Sequence, residues 1–383
     1  MFDLATFIND KKFFNGVKKA KNLSLKRKSV KGVVTIVKYD GIGDFILFLD
    51  SAKGLRELYK DKKIILSCPG VVKNLAVESG CFDEVICFSR ISSQFLKFNE
   101  IEEKVSKLDC ELLIHASISR DFFAEALVSV IRADKKVTMP FTYLYAENYH
   151  KWVVGNYDEF LNVPTNGMVL EINAEMVRQL GYTNFKSASP KIQAVNQEIT
   201  IPENYFVLFM GGSSIVKRWH VEKWYEVAKY IAKTTGLTCV LAGDYDEVSQ
   251  ENYFKNKNEF EYYSYLGRTS LLELIYIISK SKFVIGNDTC AIHMAAALNV
   301  KSLCITSASA KDRFYPYKAD FLNGYEPNFI KKSVECEGCS FDKNTFINCV
   351  KGKTLEPVMR CLREISANDF IEKFNEFIKT VDL

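Results

Sequence analysis

No apolar stretch in this 383-residue chain approaches the roughly 20 residues that carry a helix across a bilayer, and no signal-peptide pattern opens it. The Gly-x-Gly-x-x-Gly fingerprint of dinucleotide folds is missing, tandem repeats of solenoid length are missing, and no recognised nucleic-acid motif accompanies its basic residues. These absences weigh against an integral membrane protein, a nicotinamide-dependent oxidoreductase, a repeat scaffold and a nucleic-acid partner. Eleven cysteines without a secretory signal point to a reducing, cytoplasmic setting, where free thiols are mostly buried small hydrophobes.

What is present is ordinary for a folded protein: 48% apolar and 26% charged residues. The length exceeds one ordinary core and suits two α/β domains. The 28 Phe and 19 Tyr read as core and groove material. The net charge of +4 is unevenly spread, because Lys11–Lys31 holds nine Lys/Arg and no acid, which leaves 42 basic against 47 acidic residues elsewhere. That stretch intersperses its charges with Phe13, Phe14, Val17, Leu23 and Leu25. It reads either as an amphipathic segment on an anionic membrane surface or as a solvated arm, here residues 1–32.

The first half alternates strand and helix signals: strands at Val33–Tyr39, Ile64–Cys68, Glu84–Phe88 and Glu111–His115, helical patterns at Phe45–Tyr59 and Asp121–Arg132. This is the rhythm of a parallel sheet covered on both faces. Residues 140–200 lose it, apart from a short helix Ala174–Leu180 ended by Gly181. A second series follows: strand Tyr205–Met210, helix Val221–Thr235, strand Thr238–Leu241, helix Leu271–Ser281, strands Phe283–Ile285 and Lys301–Thr306. A last amphipathic helix covers Asp369–Val381. The expected organisation is a first domain at 33–190, a second at 191–365 and a C-terminal helix at 366–383.

Residues 282–298 are the most informative stretch. An apolar strand is broken at Gly286-Asn287, Asp288 and Thr289 are good N-cap residues, a small-residue helix follows, and His293 lies on its first turns. The free N–H groups of such a helix start suit an anion, and ligands of open α/β sheets bind at the carboxyl ends of strands. Two other loops of the second half end strands in the same way. Met210–Trp219 offers Gly211 and Gly212, the hydroxyls of Ser213 and Ser214, and the charges of Lys217 and Arg218, a phosphate cradle without the Gly-Lys-Ser/Thr of a Walker loop. Ala242–Glu247 offers acids that could hold ribose hydroxyls or simply favour a helix start. In the first half, Gly41-Ile42-Gly43-Asp44 places Asp44 at a helix start, either as a cap or as a general base.

Cys336-Glu-Gly-Cys339, Cys349 and Cys361 fall within 26 residues. One CxxC and two further cysteines suit a structural zinc, a redox-labile pair or buried thiols.

These residues together resemble glycosyltransferase family 9, the ADP-heptose:lipopolysaccharide heptosyltransferases. The resemblance runs from about Val33 to Phe370. It rests on the strand and Ile-Gly-Asp turn of Val34–Tyr59, the Lys-Arg-Trp loop of Gly211–Trp224, the Asp-Thr, His and Ala-Ala signature of Gly286–Leu298, and Ile305–Tyr317 with Arg313 and Pro316. It implies a GT-B architecture of two Rossmann-like doubly wound domains facing across a cleft. The implied reaction is inverting transfer of a heptose-like sugar from a nucleotide-diphosphate donor to lipopolysaccharide or another lipid-linked glycan. Asp44 would be the base, Ser213, Ser214, Lys217, Asp288, Thr289 and His293 the donor and phosphate ligands, and Glu247 a nucleotide contact. No catalytic metal is expected, since a cation and helix N–H groups can stabilise the leaving diphosphate, and no Asp-x-Asp is read as demanding one. Cys290, His220, Thr306-Ser307 and Asp50 depart from the family's Gly, Pro, Phe-Gly and Pro, which touches specificity more than phosphate binding. Residues 89–100 and 140–165 are expected to read the acceptor. The competing reading is a catalytically weak nucleotide-sugar-binding protein of the same fold.

Overall fold

The computed structural model describes residues 11–89, 97–140, 147–165, 167–212, 214–309, 312–317, 325–339, 349 and 358–383. The chain forms two compact units, Met1–Asn166 with Glu171–Lys186, and Gly167–Leu170 with Ser187–Leu383.

The first unit opens with helix α1 (Lys11–Ser24), then β1 (Val33–Val37), α2 (Ile42–Leu58), β2 (Lys63–Cys68), α3 (Lys73–Glu78), β3 (Glu84–Cys87), α4 (Glu102–Ser106), β4 (Cys110–His115), α5 (Phe122–Val130), β5 (Ala133–Thr138), α6 (Glu147–Val154) and β6 (Glu159–Phe160). The next helix, α7 (Val169–Gln179), carries the division between the units. The second unit continues with β7 (Tyr205–Phe209), α8 (Val221–Thr235), β8 (Thr238–Leu241), α9 (Val248–Lys257), β9 (Tyr262–Ser264), α10 (Leu271–Lys280), β10 (Val284–Asn287), α11 (Cys290–Ala297), β11 (Ser302–Ile305), β12 (Asn328–Ile330), α12 (Arg360–Arg363) and α13 (Ala367–Phe377).

Each unit holds one six-stranded sheet, ordered β3-β2-β1-β4-β5-β6 and β12-β11-β10-β7-β8-β9. All the pairings are parallel. The second order read backwards is the first, so both units are doubly wound, as the family resemblance implies. Strand order reverses between β1 and β4 and between β7 and β10, and loops diverging from such a point leave a crevice at the carboxyl ends of the strands. The central strands β1 (Val-Val-Thr-Ile-Val) and β7 (Tyr-Phe-Val-Leu-Phe) are buried along their whole length, as strands covered on both faces must be.

Local chemistry sets the helix ends. α10 begins in a capping box, with Ser270 Oγ accepting from Glu273 N–H and Glu273 Oε2 accepting from Ser270 N–H. Ser366 and Asp369 repeat the device at α13. α8 ends at Gly236, whose φ of 72° suits a residue without a β-carbon. The core of the second unit includes Trp219, Trp224 and Phe370, with the two indoles edge-on at 4.7 Å.

The basic arm is not a detached segment. Phe13, Val17 and Ala20, spaced to share one helix face, are buried in the first unit's core, and Phe13 meets Phe122 of α5 edge-on at 6.0 Å. The apolar face expected to lie on a membrane is thus occupied by the protein itself, while Lys18, Lys19, Lys21, Lys26 and Lys28 stay exposed. Among the described residues no helix is long and apolar enough to cross a membrane.

Candidate active site

In the second unit the loops after β7 and β10 flank the point where strand order reverses. The β7 loop closes on itself. Ile215–Lys217 form one 3-10 turn, Lys217 N–H donates to Ser214 O at 2.9 Å, and the Arg218 guanidinium donates twice to Gly212 O at 3.2 Å. Arg218 therefore shapes the cradle rather than pointing away from it. Lys217 is half-buried, and Ser214 has extended backbone just before the turn. Ser213 lies outside the described residues.

After β10 the chain enters α11 with Thr289 as N-cap, but the Thr289 side chain caps nothing. Its Oγ1 is buried without a hydrogen-bond partner, which is costly unless a ligand or water meets it. Asp288 accepts from Thr306 Oγ1 at 3.0 Å. Burial pushes its carboxyl above the usual range, opposed by Lys217 and the Thr306 and Tyr315 hydroxyls. Lys217 thus brings its charge to the Asp288–Thr289 corner, and the two loops expected to share an anion meet there.

Asn287 makes that corner rigid. Its Nδ2 donates to Met210 O at 2.5 Å and Gly211 O at 3.0 Å, and its Oδ1 accepts from Trp219 N–H at 3.2 Å. One buried amide therefore ties β10 to both ends of the cradle loop. In the sequence Asn287 reads only as a strand breaker. The available signal was an amide at the end of an apolar strand, where a buried polar group must find partners.

Glu247 ends a 3-10 turn after β8 and is buried. Its carboxyl lies against both Gly211 and Gly243, so closely that a β-carbon at either glycine would overlap it. Oε2 has no hydrogen-bond partner, and burial raises the carboxyl to about 7 despite the nearby Arg218. Cys290, the first residue of α11, feels this carboxyl, and burial with Glu247 beside it pushes the thiol up to about 12. The third loop therefore joins the other two and contributes an unmet carboxyl oxygen beside the unmet hydroxyl of Thr289.

Asp244-Tyr245-Asp246 is an Asp-x-Asp sequence just beyond β8 that the expectation of metal-free chemistry leaves unweighed. Asp244 Oδ1 accepts from Tyr245 N–H at 2.7 Å, and Asp246 lies 4.0 Å from Arg218. Among the described residues no group of three or more His, Cys, Asp or Glu is arranged to hold a metal ion.

His293 is buried in an aromatic stack. Its ring lies parallel to Tyr315 and Tyr317 at 5.4 and 6.2 Å, and Nδ1 is 2.8 Å from the Tyr317 hydroxyl. Burial lowers it to about 3, so it is neutral and supports the loop that carries Tyr315, a neighbour of Asp288.

Asp44 belongs to the first unit, at the third position of α2. There its Oδ2 accepts from Gly41 N–H at 3.3 Å, the reciprocal half of a capping arrangement with Gly41 as N-cap. The turn before it is fixed from below. Lys38 Nζ and Asp40 Oδ2, both fully buried, pair at 2.8 Å, Lys38 also donates to Ala116 O, and Asp40 accepts from Ile118 N–H at 2.9 Å. Ser117 Oγ accepts from Tyr39 N–H at 2.7 Å. The β1 and β4 loops are thereby stitched together where strand order reverses. A second buried network stands beside them, with Glu125 Oε1 accepting from Arg120 at 3.1 Å and Oε2 from the Tyr157 hydroxyl at 2.7 Å. Sequence reasoning passed over both, since charged residues inside apolar patterns look like surface until partners are visible.

The four C-terminal cysteines are free thiols that cluster. Cys339 is pushed up to about 11 by burial and by Cys336, Cys349 and Cys361, and Cys349 Sγ accepts from Arg360 N–H at 3.3 Å. The segment packs behind the cradle loop, with Met359 N–H donating to Val216 O at 2.9 Å and Gly338 N–H to Ala308 O at 2.7 Å. The thiols are neighbours without forming a ready tetrahedral cage.

With this geometry in place, the chain can be set beside known proteins. Residues 156–336 match the model of glycosyltransferase family 9 (heptosyltransferase). That stretch resembles a family 9 glycosyltransferase domain. It contains all three loops of this corner, and it begins well after Asp44. The likeness of fold extends further. The glycosyl transferase family 9 protein from Veillonella parvula superposes with a TM-score of 0.68 at 15% identity, over 91% of this chain and 97% of the other. E. coli ADP-heptose LPS heptosyltransferase II gives 0.66 at 14% identity, over 91% and 98%. E. coli heptosyltransferase WaaC, solved with ADP-2-deoxy-2-fluoro heptose, gives 0.61 at 17% identity, over 90% and 99%. Among curated proteins none matches the sequence.

Proposed function

We propose that this protein transfers a heptose-like sugar from a nucleotide-diphosphate donor, of the ADP-heptose kind, to lipopolysaccharide or a related lipid-linked glycan. The observation that carries this reading is the corner formed by Lys217, Asp288 and Thr289 with Glu247 behind it, inside the stretch that matches family 9. Its polar parts suit the two ends of a nucleoside diphosphate. Lys217, Ser213, Ser214 and the first N–H groups of α11 would hold the phosphates, Thr289 Oγ1 would donate to a phosphate oxygen, and Glu247 would accept from ribose hydroxyls. Solved structures of similar fold contain ADP or an ADP-heptose analogue.

In the proposed reaction Asp44 takes the proton of an acceptor hydroxyl, the oxygen attacks the anomeric carbon, and the bond to the diphosphate breaks with inversion. Lys217 and the helix N–H groups stabilise the charge left on the diphosphate, so the step as read routes through no metal. The competing reading, a binding protein of weak or no activity, draws on the bond between Asp44 and Gly41 N–H, which gives that carboxylate a structural role. Asp44→Asn separates the two. Nucleotide-sugar binding by calorimetry should be preserved, and transfer to a lipid-linked acceptor should fall by about 10²-fold or more; full activity in that variant would end the base assignment. A calorimetric series of ADP-, UDP- and GDP-sugars and nicotinamide cofactors tests the donor, and a preference for nicotinamide would overturn the reading.

Two accessory readings belong here. The exposed lysines of α1 and of residues 26–31, with Leu25 and Val30 exposed among them, suit an anionic membrane surface and a place at the cytoplasmic face of the inner membrane. Because the helix's apolar face is buried, binding to phosphatidylglycerol vesicles should be electrostatic and lost at high salt. Cys336, Cys339, Cys349 and Cys361 form a donor set that suits zinc, which would staple the segment behind the cradle loop after the thiols converge. Metal analysis of protein purified without chelator tests it, one zinc per chain being the expected result.

A further inference from the structure

Two cysteines outside the nucleotide corner and outside the C-terminal cluster stand side by side. Cys68 ends β2 and Cys87 ends β3, and the sheet pairs them directly. Their sulfurs are 3.8 Å apart. Cys68 is buried and Cys87 is half-exposed, so only one of the pair faces solvent. We propose that Cys87 and Cys68 form an oxidant-responsive thiol pair, Cys87 as the nucleophile and Cys68 as the resolving thiol, that closes to a disulfide when the protein meets a peroxide.

The sheet supplies the geometry. Directly paired residues on neighbouring strands lie about 4.8 Å apart, within the roughly 4.4–6.8 Å that a disulfide spans between α-carbons. The surroundings are asymmetric in the way the two roles need. A hydrogen bond links the two sulfurs, which with Cys68 as donor favours a Cys87 thiolate, and the ammonium groups of Lys73 and Lys104 lie near Cys87. Together they overcome burial and bring Cys87 down to about 7. Lys104 is held in place by a bond to the Cys87 carbonyl oxygen at 2.5 Å and by the Phe88 ring. Cys68 is shifted the other way, first by the same hydrogen bond and then by burial, and keeps its proton. Cys110 and Cys239, by contrast, are buried and pushed up by desolvation.

The chemistry balances with hydrogen peroxide as oxidant. The Cys87 thiolate attacks one peroxide oxygen, the O–O bond breaks, and the second oxygen leaves as hydroxide and takes a proton, giving a sulfenic acid. Cys68 then loses its proton, its sulfur attacks the Cys87 sulfur, and the S–O bond breaks with release of water. Two thiols and one peroxide yield one disulfide and two waters.

The test uses the full-length protein. Alkylation of the Cys87 peptide by iodoacetamide, followed by mass spectrometry across pH, should show a midpoint near 7. In Cys68→Ala the midpoint should rise by about one unit or more, because the hydrogen-bond donor is gone. Sub-millimolar peroxide should remove two hydrogens from the linked Cys68 and Cys87 peptides, and dithiothreitol should restore them. In Cys68→Ala the same treatment should leave a sulfenic acid on Cys87 that dimedone captures. If Cys68→Ala does not fold, the parent's pH profile and peptide linkage decide alone. A Cys87 that alkylates no faster near neutral pH than half-exposed Cys336, or that peroxide leaves unlinked to Cys68, would overturn the proposal.

Discussion

The side-chain amide of Asn287 donates to the carbonyl oxygen of Gly211 at 3.0 Å, and by that bond the strand that leads into Asp288 fixes the loop carrying Lys217. Asn287→Ala would leave the Met210 and Gly211 carbonyls and the Trp219 N–H without this partner in a buried place. Each such loss costs about 1–3 kcal/mol. The expected outcome is a destabilisation of about 2–4 kcal/mol in urea denaturation, with ADP-sugar affinity down by about tenfold or more in calorimetry. Unchanged affinity in a folded Asn287→Ala protein would show that the amide does not position the cradle.

Glu247 gives a pH dependence whose sign can be worked out. In the folded protein it holds its proton to about 7, against an ordinary value of 4.5. Above that ordinary value the unfolded chain releases the proton while the folded chain keeps it, so stability falls as pH rises through this window and the loss is complete above about 7. The gap corresponds to about 3 kcal/mol at most. Glu247→Gln removes the titration. The variant should match the parent near pH 4.5 and exceed it at pH 8 by up to about 3 kcal/mol in urea denaturation. If Glu247 also meets the nucleotide, the same variant binds ADP-sugars more weakly, so stability and affinity move in opposite directions.

How this corner could be read from the sequence differs from residue to residue. The helix Val221–Thr235 and the strand Thr238–Leu241 were legible to the residue, because apolar periodicity, a following glycine and a β-branched run agree there. Thr289 was legible as a helix start, and Lys217 as a charge beside small residues. The short strands β5, β9 and β12 were not: Ala133–Thr138 carries Asp-Lys-Lys, and its pairing with β4, which lies 23 residues away in register at several positions, supplies what its composition lacks. Lys38 and Asp40 failed for a related reason. Two residues apart at the end of a strand, they carry no local sign of their partners, and only the fold brings Ala116 and Ile118 to satisfy them. His293 shows the converse, a residue type suited to chemistry that tertiary packing has buried and neutralised.

The helix α1 tests whether the basic segment is part of the fold. Phe13 is buried against α5, and Phe→Ala changes at such sites cost about 3–5 kcal/mol. Phe13→Ala should therefore lower the urea midpoint of the first unit clearly. Replacing Lys18 and Lys19 together by Gln should leave that midpoint nearly unchanged while weakening vesicle binding. A Phe13→Ala protein as stable as the parent would mean that α1 does not dock as described.

The contact between Glu247 and Gly243 permits a sharper test of the corner than either residue alone. A β-carbon at Gly243 would run into the Glu247 carboxyl, and into Leu266 less severely. Gly243→Ala should cost about 1–3 kcal/mol through overpacking. Glu247→Ala vacates the space that the new methyl needs, so the double variant should recover much of the loss, giving a coupling energy of about 1 kcal/mol or more in a double-mutant cycle. Simple additivity would place the Glu247 carboxyl elsewhere in solution, and with it the ribose contact assigned to this side chain.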